Sequence, residues 1–313
     1  MKICMLGSGA LGSTIGGQLA AAGLDVHFFD IWEEHISAMV NHGLKIIEPP
    51  SEKLVKVHAT TNLREIEPVD LIIILVKSFN TRKAIETALP IIGDKTMVLS
   101  LQNGLGNEDI LVDVLGKERV IGGKTYVGGV LVGPGEVLAG VKGKVTYIGE
   151  LDGEMTKRIA EVGRLFNQAG METTVSGDIC GIIWSKLLIN IATGALAAIT
   201  RLPYGALNAM EEVIECSAEA VLEAVAVAKA SGVDLSINDP REIWFKATEG
   251  LPPEFKTSML QDIEKGSVTE IDYINGSVVR LGEKYNIPTP VNKTLVTCIK
   301  GIEFQQKMSE EDN

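Results

Sequence analysis

The sequence predicts an α/β fold: a doubly wound, mostly parallel sheet over residues 1–175, followed by an all-helical domain over residues 176–313. Three observations carry that expectation. A strand, a glycine-rich turn, a helix and a second strand fill residues 1–30. Continuous apolar runs then alternate with helical patterns to about residue 101, as in a parallel sheet covered by helices on both faces. Beyond about residue 177 the strand patterns cease and helical ones succeed one another.

Taken in order, Ile3 to Leu6 reads as a short buried strand. Residues 10–22 are small and apolar and stop at Gly23, a helix with a glycine terminator. LDVHFFD at 24–30 is the second strand. Helical patterns at 33–42 and 80–89 bracket VDLIIILVK at 69–77, and TMVLSL at 96–101 supplies a further apolar run. Both runs suit central strands buried on two faces. From about 119 to 150 the chain is rich in Gly and Val, with turn signals at Gly-Pro-Gly and Lys-Gly-Lys. Antiparallel strands finishing the same sheet are expected there. Helices are expected at 179–199, 206–231, 240–248, 257–264, 269–285 and 290–307, with the tail MSEEDN fraying.

Composition narrows the function classes. Hydrophobic residues are 45% and charged residues 22% of the 313, a globular balance. A net charge of −12 argues against nucleic acid and against an anionic membrane surface, which need clustered Lys and Arg. Cys4, Cys180, Cys216 and Cys298 form no C-x-x-C pair, so reduced thiols are expected rather than disulfides, and no metal site. No stretch approaches 18 uninterrupted apolar residues, the length a membrane span requires. A cytoplasmic protein is the expectation.

The turn GSGALG, residues 7–12, follows a strand and opens a helix. Glycine at 7 allows the tight turn, glycine at 9 lets backbone approach a diphosphate, and glycine at 12 lets the helix pack on the strand. The helix N-terminus then faces the phosphates. Gly7, Ser8, Gly9, Ala10, Leu11 and Gly12 are therefore candidate cofactor contacts in a Rossmann-type domain. Asp30 ends the second strand, 18 positions after Gly12, and the sequence there is DIWEE with no cation. A carboxylate at that point accepts from ribose hydroxyls and repels a 2′-phosphate, so NADH is favoured, with NADPH the alternative. Lys77, at the carboxyl end of its apolar run, and Asn103, in the loop after the next, lie where open sheets bind ligands. Asn103-Gly104 reads equally well as a plain turn pair.

Hydride transfer to a carbonyl needs a proton donor and a cation for an anionic substrate. ICGIIWSKLLINIATGALAAIT, 179–200, is apolar almost throughout but carries Lys186 and Asn190, which share a helix face at i, i+4. An ammonium on such a helix either snorkels or faces a polar cleft. Downstream, Thr269 and Asp272 form a capping-box pattern for a helix whose stripe is Ile271, Ile274, Val278 and Leu281. Glu270 falls in its first turn, either serving the helix dipole or partnering Lys186. Lys77 and Lys256 are further cations for an anionic ligand.

GSGALG, LVK at 75–77, LQNGLGNED at 101–109, GPGEV at 133–137, WSKLLIN at 184–190 and SMLQDIEKGSVTEIDYINGSV at 258–278 together give the chain a likeness to a known family. It resembles the ketopantoate reductases and their D-2-hydroxyacid (D-mandelate type) dehydrogenase relatives over nearly its whole length. That resemblance implies a second domain like the helical domain of 6-phosphogluconate dehydrogenase, reduction of ketopantoate to pantoate, and a homodimer. It puts the catalytic lysine at Lys186 and the glutamate at Glu270. Substrate contacts fall at Asn190, Ser258 and Asn103, and cofactor contacts at Lys77, Asn103 and Glu270. Another branched or aromatic 2-oxo acid is the alternative substrate. A non-catalytic dinucleotide sensor is the alternative class, disfavoured by the presence of both Lys186 and Glu270. The family's second asparagine, eight residues after the lysine, is here Gly194, beside Thr193.

Overall fold

The computed structural model describes residues 1–311. The chain folds as two compact units, one of residues 1–102 and 107–180, the other of residues 103–106 and everything from Gly181 onward. The turn Asn103–Gly106 thus belongs to the helical unit, although it lies far up the chain.

In the first unit β1 (Lys2–Leu6), α1 (Ala10–Ala21), β2 (Asp25–Phe29) and α2 (Glu33–His42) follow the expected order. β3 (Leu44–Glu48), β4 (Ser51–Val55) and β5 (His58–Thr60) come next, then β6 (Val69–Ile74), α3 (Thr81–Thr87) and β7 (Ile92–Ser100). α4 (Asn107–Leu115), β8 (Val120–Thr125), β9 (Gly128–Gly133), β10 (Glu136–Gly140), β11 (Thr146–Glu150), α5 (Lys157–Gln168) and β12 (Thr173–Val175) complete it.

The main sheet runs β12-β11-β8-β7-β6-β1-β2-β5. From β5 to β8 every pairing is parallel, and only the β8–β11 pairing is antiparallel. Ile3, Met5, Leu71, Ile73 and Leu99 are fully buried, because helices cover both faces of these strands.

One expectation is corrected here. The Gly/Val-rich strands do not all finish the main sheet: β9 and β10 form a second sheet, ordered β4-β3-β10-β9. α1 lies between the two sheets. A Cβ added at Gly16 would stand 2.6 Å from Met5 and Phe28 of the main sheet. One at Gly17 would stand 2.7 Å from Ile46 of the small one. A helix clamped on two sides needs small residues on two sides, which is why α1 has no single apolar stripe.

In the second unit, α6 (Ile179–Thr200) leads α7 (Tyr204–Leu207), α8 (Glu211–Ala230), α9 (Arg241–Thr248), α10 (Ser258–Glu264), α11 (Asn275–Tyr285) and α12 (Pro290–Glu311). Its core gathers Leu187, Leu188, Ile191, Val221, Ala224, Trp244, Leu260, Val278 and Ile299. α6 is long and apolar enough to cross a membrane, with a mean hydropathy of 1.7, yet 67% of that window is buried in the protein. It is a core helix.

Two expected helices break. The 206–231 pattern divides at extended Met210, and Glu211 and Glu212 open the second piece. The 269–285 pattern divides at Ile274: a 3-10 turn (Ile271–Tyr273) precedes α11. Thr269 therefore does not cap α11: it stands just before Glu270, the cap of the 3-10 turn, and its hydroxyl accepts from Ile271 N–H at 3.2 Å. Asp272 completes no capping box; its carboxylate takes Lys300 Nζ at 2.6 Å. The tail MSEEDN, expected to fray, continues α12 as far as Glu311, and residues 312–313 lie outside the described residues.

Candidate active site

The glycine loop is dictated by close contacts. Gly7 has φ +101°, and a Cβ there would meet Val76 N at 2.7 Å. At Gly12 a Cβ would sit 2.0 Å from Gly7 O, so the helix starts against the end of β1 only without a side chain. Gly9 differs: a Cβ there would meet nothing within 4 Å. The protein's own packing does not demand glycine at 9, and the space beside it is room for a ligand at the helix N-terminus.

Ser8 is fully buried. Its N–H donates to Asp30 Oδ2 at 2.7 Å and its hydroxyl to Phe29 O at 3.1 Å. Its contribution is to shape the loop from within. Asp30 also accepts from Trp32 N–H through Oδ1 at 3.1 Å, so the carboxylate ties the glycine turn to the end of β2. A cleft of about 210 Å³ opens beside it, lined by Gly7, Phe29, Asp30, Ile31, Val76, Asn80, Lys83, Ala84 and Thr87. Ile31 is 84% exposed at its lip, an apolar surface suited to a flat aromatic base. Lys83 was not anticipated: it is one of several charges on a short helix, and only the fold brings it to Asp30's cleft.

Lys77 is half-buried and caps the 3-10 turn Ser78–Asn80; β6 ends at Ile74, before the lysine is reached. A buried polar network holds this turn. Gln102 Nε2 donates to Val76 O and to Thr81 Oγ1, each at 2.8 Å. Asn107 Nδ2 donates to Ser78 Oγ at 3.2 Å. Lys124, fully buried on β8, donates to Gln102 O at 2.6 Å. The ammonium has a buried acidic neighbour in Glu108, whose carboxyl is pushed up by burial while Lys124 pulls it down. Neither Lys124 nor Gln102 was singled out in the sequence; GGKTYVGG gives no sign that its lysine points inward.

The helical unit holds the other candidates. Lys186 and Asn190 are partly exposed on α6, one turn apart, between buried Leu187, Leu188 and Ile191. A narrow polar stripe thus runs along an otherwise buried helix. Ser258, exposed, opens α10 behind the cap Thr257, whose hydroxyl accepts from Leu260 N–H at 3.2 Å. Glu270 is buried at 8% exposure and sits at the head of the 3-10 turn. Asn103 begins the turn that joins this unit. A side chain at Gly104 would stand 2.6 Å from Tyr273 O, and Leu105 N–H donates to that same carbonyl at 2.8 Å. The Asn103-Gly104 pair is therefore a structural turn as well as a candidate site. Lys256 is paired with Glu264 at 2.6 Å and is the weaker candidate for an anionic ligand.

Gly194 is buried on α6, and a Cβ there would find Met259 Cε at 3.5 Å. Beside it, Thr193 Oγ1 accepts from Tyr204 OH at 3.2 Å. Burial pushes the Tyr204 phenol up while the Thr193 contact pulls the other way, and the ring stacks on Phe255 at 5.7 Å. This part of the helical core is aromatic and thioether-rich.

Comparison with known proteins gives one family for both halves of the chain. Residues 3–153 match the family described as ketopantoate reductase PanE/ApbA, and residues 178–303 match the C-terminal region of the same family. A 2-dehydropantoate 2-reductase of Pyrococcus abyssi is 38% identical over 303 residues, covering 97% of this chain and 98% of its own. The crystal structure of a PanE/ApbA family ketopantoate reductase from Ralstonia eutropha JMP134 superposes with TM-score 0.89 at 34% identity, covering 98% of this chain and all (100%) of that one. A D-mandelate dehydrogenase solved with NADH and anilino(oxo)acetate superposes with TM-score 0.90 at 28% identity, with the same coverage.

Proposed function

Since this chain belongs to the ketopantoate reductase PanE/ApbA family, we propose that it is a 2-dehydropantoate 2-reductase that uses NADH in preference to NADPH. Two observations support the reading, one in each unit: a glycine loop with room for a ligand beside Gly9, and Lys186 on the polar stripe of a buried helix. Gly7, Gly9, Ala10, Leu11 and Gly12 would hold the diphosphate, Asp30 the adenosine ribose, and Lys77, Asn103 and Glu270 the nicotinamide side. The bound dinucleotide supplies the hydride.

The chain's own residues then manage the proton and the anion. Lys186 donates a proton to the oxygen of the carbonyl as charge develops there. Glu270, buried and carboxylate-bearing, orients that ammonium. Asn190 and Ser258 hold the polar groups of the 2-oxo acid. Asp30 favours NADH because its carboxylate repels a 2′-phosphate. Lys83, in the same cleft, is the cation that admits NADPH as the weaker cofactor.

A second reading is favoured by one observation. At the position where the resemblance implies a second asparagine, a Cβ on Gly194 would face the thioether of Met259. That apolar contact suits a larger branched or aromatic 2-oxo acid, the substrate class of a D-2-hydroxyacid dehydrogenase. A cytoplasmic homodimer belongs to the same proposal; α12 leaves Phe304 65% and Met308 51% exposed.

The deciding experiment follows oxidation of NADH and of NADPH with ketopantoate and with a panel of branched and aromatic 2-oxo acids. Highest kcat/KM with ketopantoate and NADH supports the proposal. Highest kcat/KM with an aromatic 2-oxo acid moves the assignment to the second reading. Cofactor binding without turnover of any 2-oxo acid refutes both.

A further inference from the structure

His35 is fully buried on α2 and takes no part in the chemistry above. Its ring is held on both edges. Nδ1 accepts from the backbone N–H of Gly135 at 3.0 Å, and Nε2 lies 3.1 Å from Ser13 Oγ. Because Nδ1 accepts, Nε2 carries the proton and donates to Ser13. Ser13 Oγ in turn donates to Ser8 O at 2.7 Å. The Ser8 peptide is thereby gripped from both sides, its N–H by Asp30 and its carbonyl by Ser13, immediately before Gly9.

The far end of this chain is fixed just as firmly. Gly135 ends the Gly-Pro-Gly turn between β9 and β10, with φ +74° and space for a Cβ only 3.0 Å from Ala38 on α2. Its carbonyl accepts from Lys45 N–H of β3 at 2.8 Å. A face of the imidazole stacks on Trp32 with ring centroids 5.0 Å apart. The GPG motif, which the reaction itself leaves unexplained, is the anchor of a relay running Gly135, His35, Ser13, Ser8.

We propose that His35 is a positioning residue for the diphosphate loop: it transmits the fixed position of the small sheet, through Ser13, to the Ser8 peptide that sets where Gly9 begins. The inference rests on the reading of residues 7–12 as a dinucleotide site. Only the neutral imidazole fits, since a proton on Nδ1 would oppose the Gly135 N–H. Burial lowers the ring's affinity for that proton, while the Ser8 carbonyl and the Asp30 carboxylate raise it. Asp30 is the charge that faces the ring, and the Ser13 and Gly135 groups on the two other packed elements are uncharged.

The test titrates NADH into the full-length protein and measures steady-state kinetics for His35→Asn, His35→Gln and Ser13→Ala. An asparagine amide reaches the Gly135 side alone, whereas a glutamine amide reaches the Ser13 side. His35→Asn and Ser13→Ala are expected to raise the NADH Kd and the NADH KM roughly tenfold, about the effect of one buried hydrogen bond. The KM for the 2-oxo acid and kcat at saturating NADH stay within about twofold. His35→Gln regains most of the NADH affinity. Wild-type affinity falls in the acid range, at a pH below the ordinary histidine value of about 6.5 because burial lowers the ring's own, and the glutamine variant loses that dependence. Folded His35→Asn and Ser13→Ala proteins with wild-type NADH affinity would overturn the proposal. So would equal rises in both KM values. A wild-type protein binding neither NADH nor NADPH removes the dinucleotide reading itself, a result distinct from failure of the relay.

Discussion

Asp30 Oδ2 accepts the backbone N–H of Ser8 at 2.7 Å. One carboxylate therefore anchors the glycine loop and lines the cleft meant for an adenosine ribose, and the two duties have separable consequences.

Replacing Asp30 with Ala should narrow the preference for NADH over NADPH, because repulsion of a 2′-phosphate is lost. It should also raise KM for both cofactors, because the Ser8 N–H loses its acceptor. Asp30→Asn keeps an acceptor and should show mainly the first effect. Steady-state KM values for NADH and NADPH in the two variants check this. An unchanged preference in both would reduce Asp30 to a structural anchor.

Gly9 and Gly12 should respond differently to alanine. Gly9→Ala meets no protein atom within 4 Å, so it should fold with near wild-type Tm yet bind NADH poorly. Gly12→Ala forces a contact of 2.0 Å with Gly7 O and should destabilise the fold by several kcal/mol, well above the ~1 kcal/mol of a typical substitution. Thermal melts beside NADH titrations separate the two. Equal losses of Tm would mean the space next to Gly9 has no ligand-specific role.

Lys186→Ala should lower kcat by at least the ~10²-fold typical of a lost general acid, with NADH binding retained. Single-turnover absorbance at the reduced nicotinamide band checks both quantities on one sample. A variant turning over at near wild-type rate would take Lys186 out of the proton transfer.

The Glu150–Arg158 pair should make stability depend on acid. Burial by itself pushes the Glu150 carboxyl up, but hydrogen bonds from Arg158, at 2.7 Å through Nε, and from Thr156 outweigh it and hold the group below its usual range. A depressed carboxyl contributes stability above its unfolded pKa of about 4.3 and loses it as pH falls further, through the folded value. Arg158 is about a third exposed, so screening keeps the contribution modest. Glu150→Gln should therefore lower Tm at pH 7 and converge with wild type only as pH falls below about 4.3 and on through the depressed folded value. Parallel Tm-versus-pH curves for the two proteins would contradict it.

The parts of the fold readable in the sequence are those marked by residue type alone. β1, α1 and β2 are announced by glycines at 7, 9 and 12 and by Asp30; α6 is announced by its composition. α5 was legible and missed: Thr156 caps it, accepting from Ile159 N–H at 3.3 Å, and Ile159, Val162, Leu165 and Phe166 are its buried face. The second sheet was illegible for a physical reason. β4 reads SEKLV and is almost wholly exposed, so no buried face marks it as a strand. Lys124 and His35 were equally silent, since burial of a polar side chain depends on partners distant in the chain: Gln102 for one, Gly135 for the other.

The turn Asn103–Gly106 packs with the helical unit, while the residues before and after it belong to the sheet unit. The polypeptide therefore crosses the boundary at three places rather than one. A graft exchanging helical halves between relatives at position 180 would leave behind the Leu105 amide that Tyr273 O receives. Chimeras of this family should work only when the 103–106 tetrapeptide travels with its helices, so recombination here needs three junctions, at 102/103, 106/107 and 180/181.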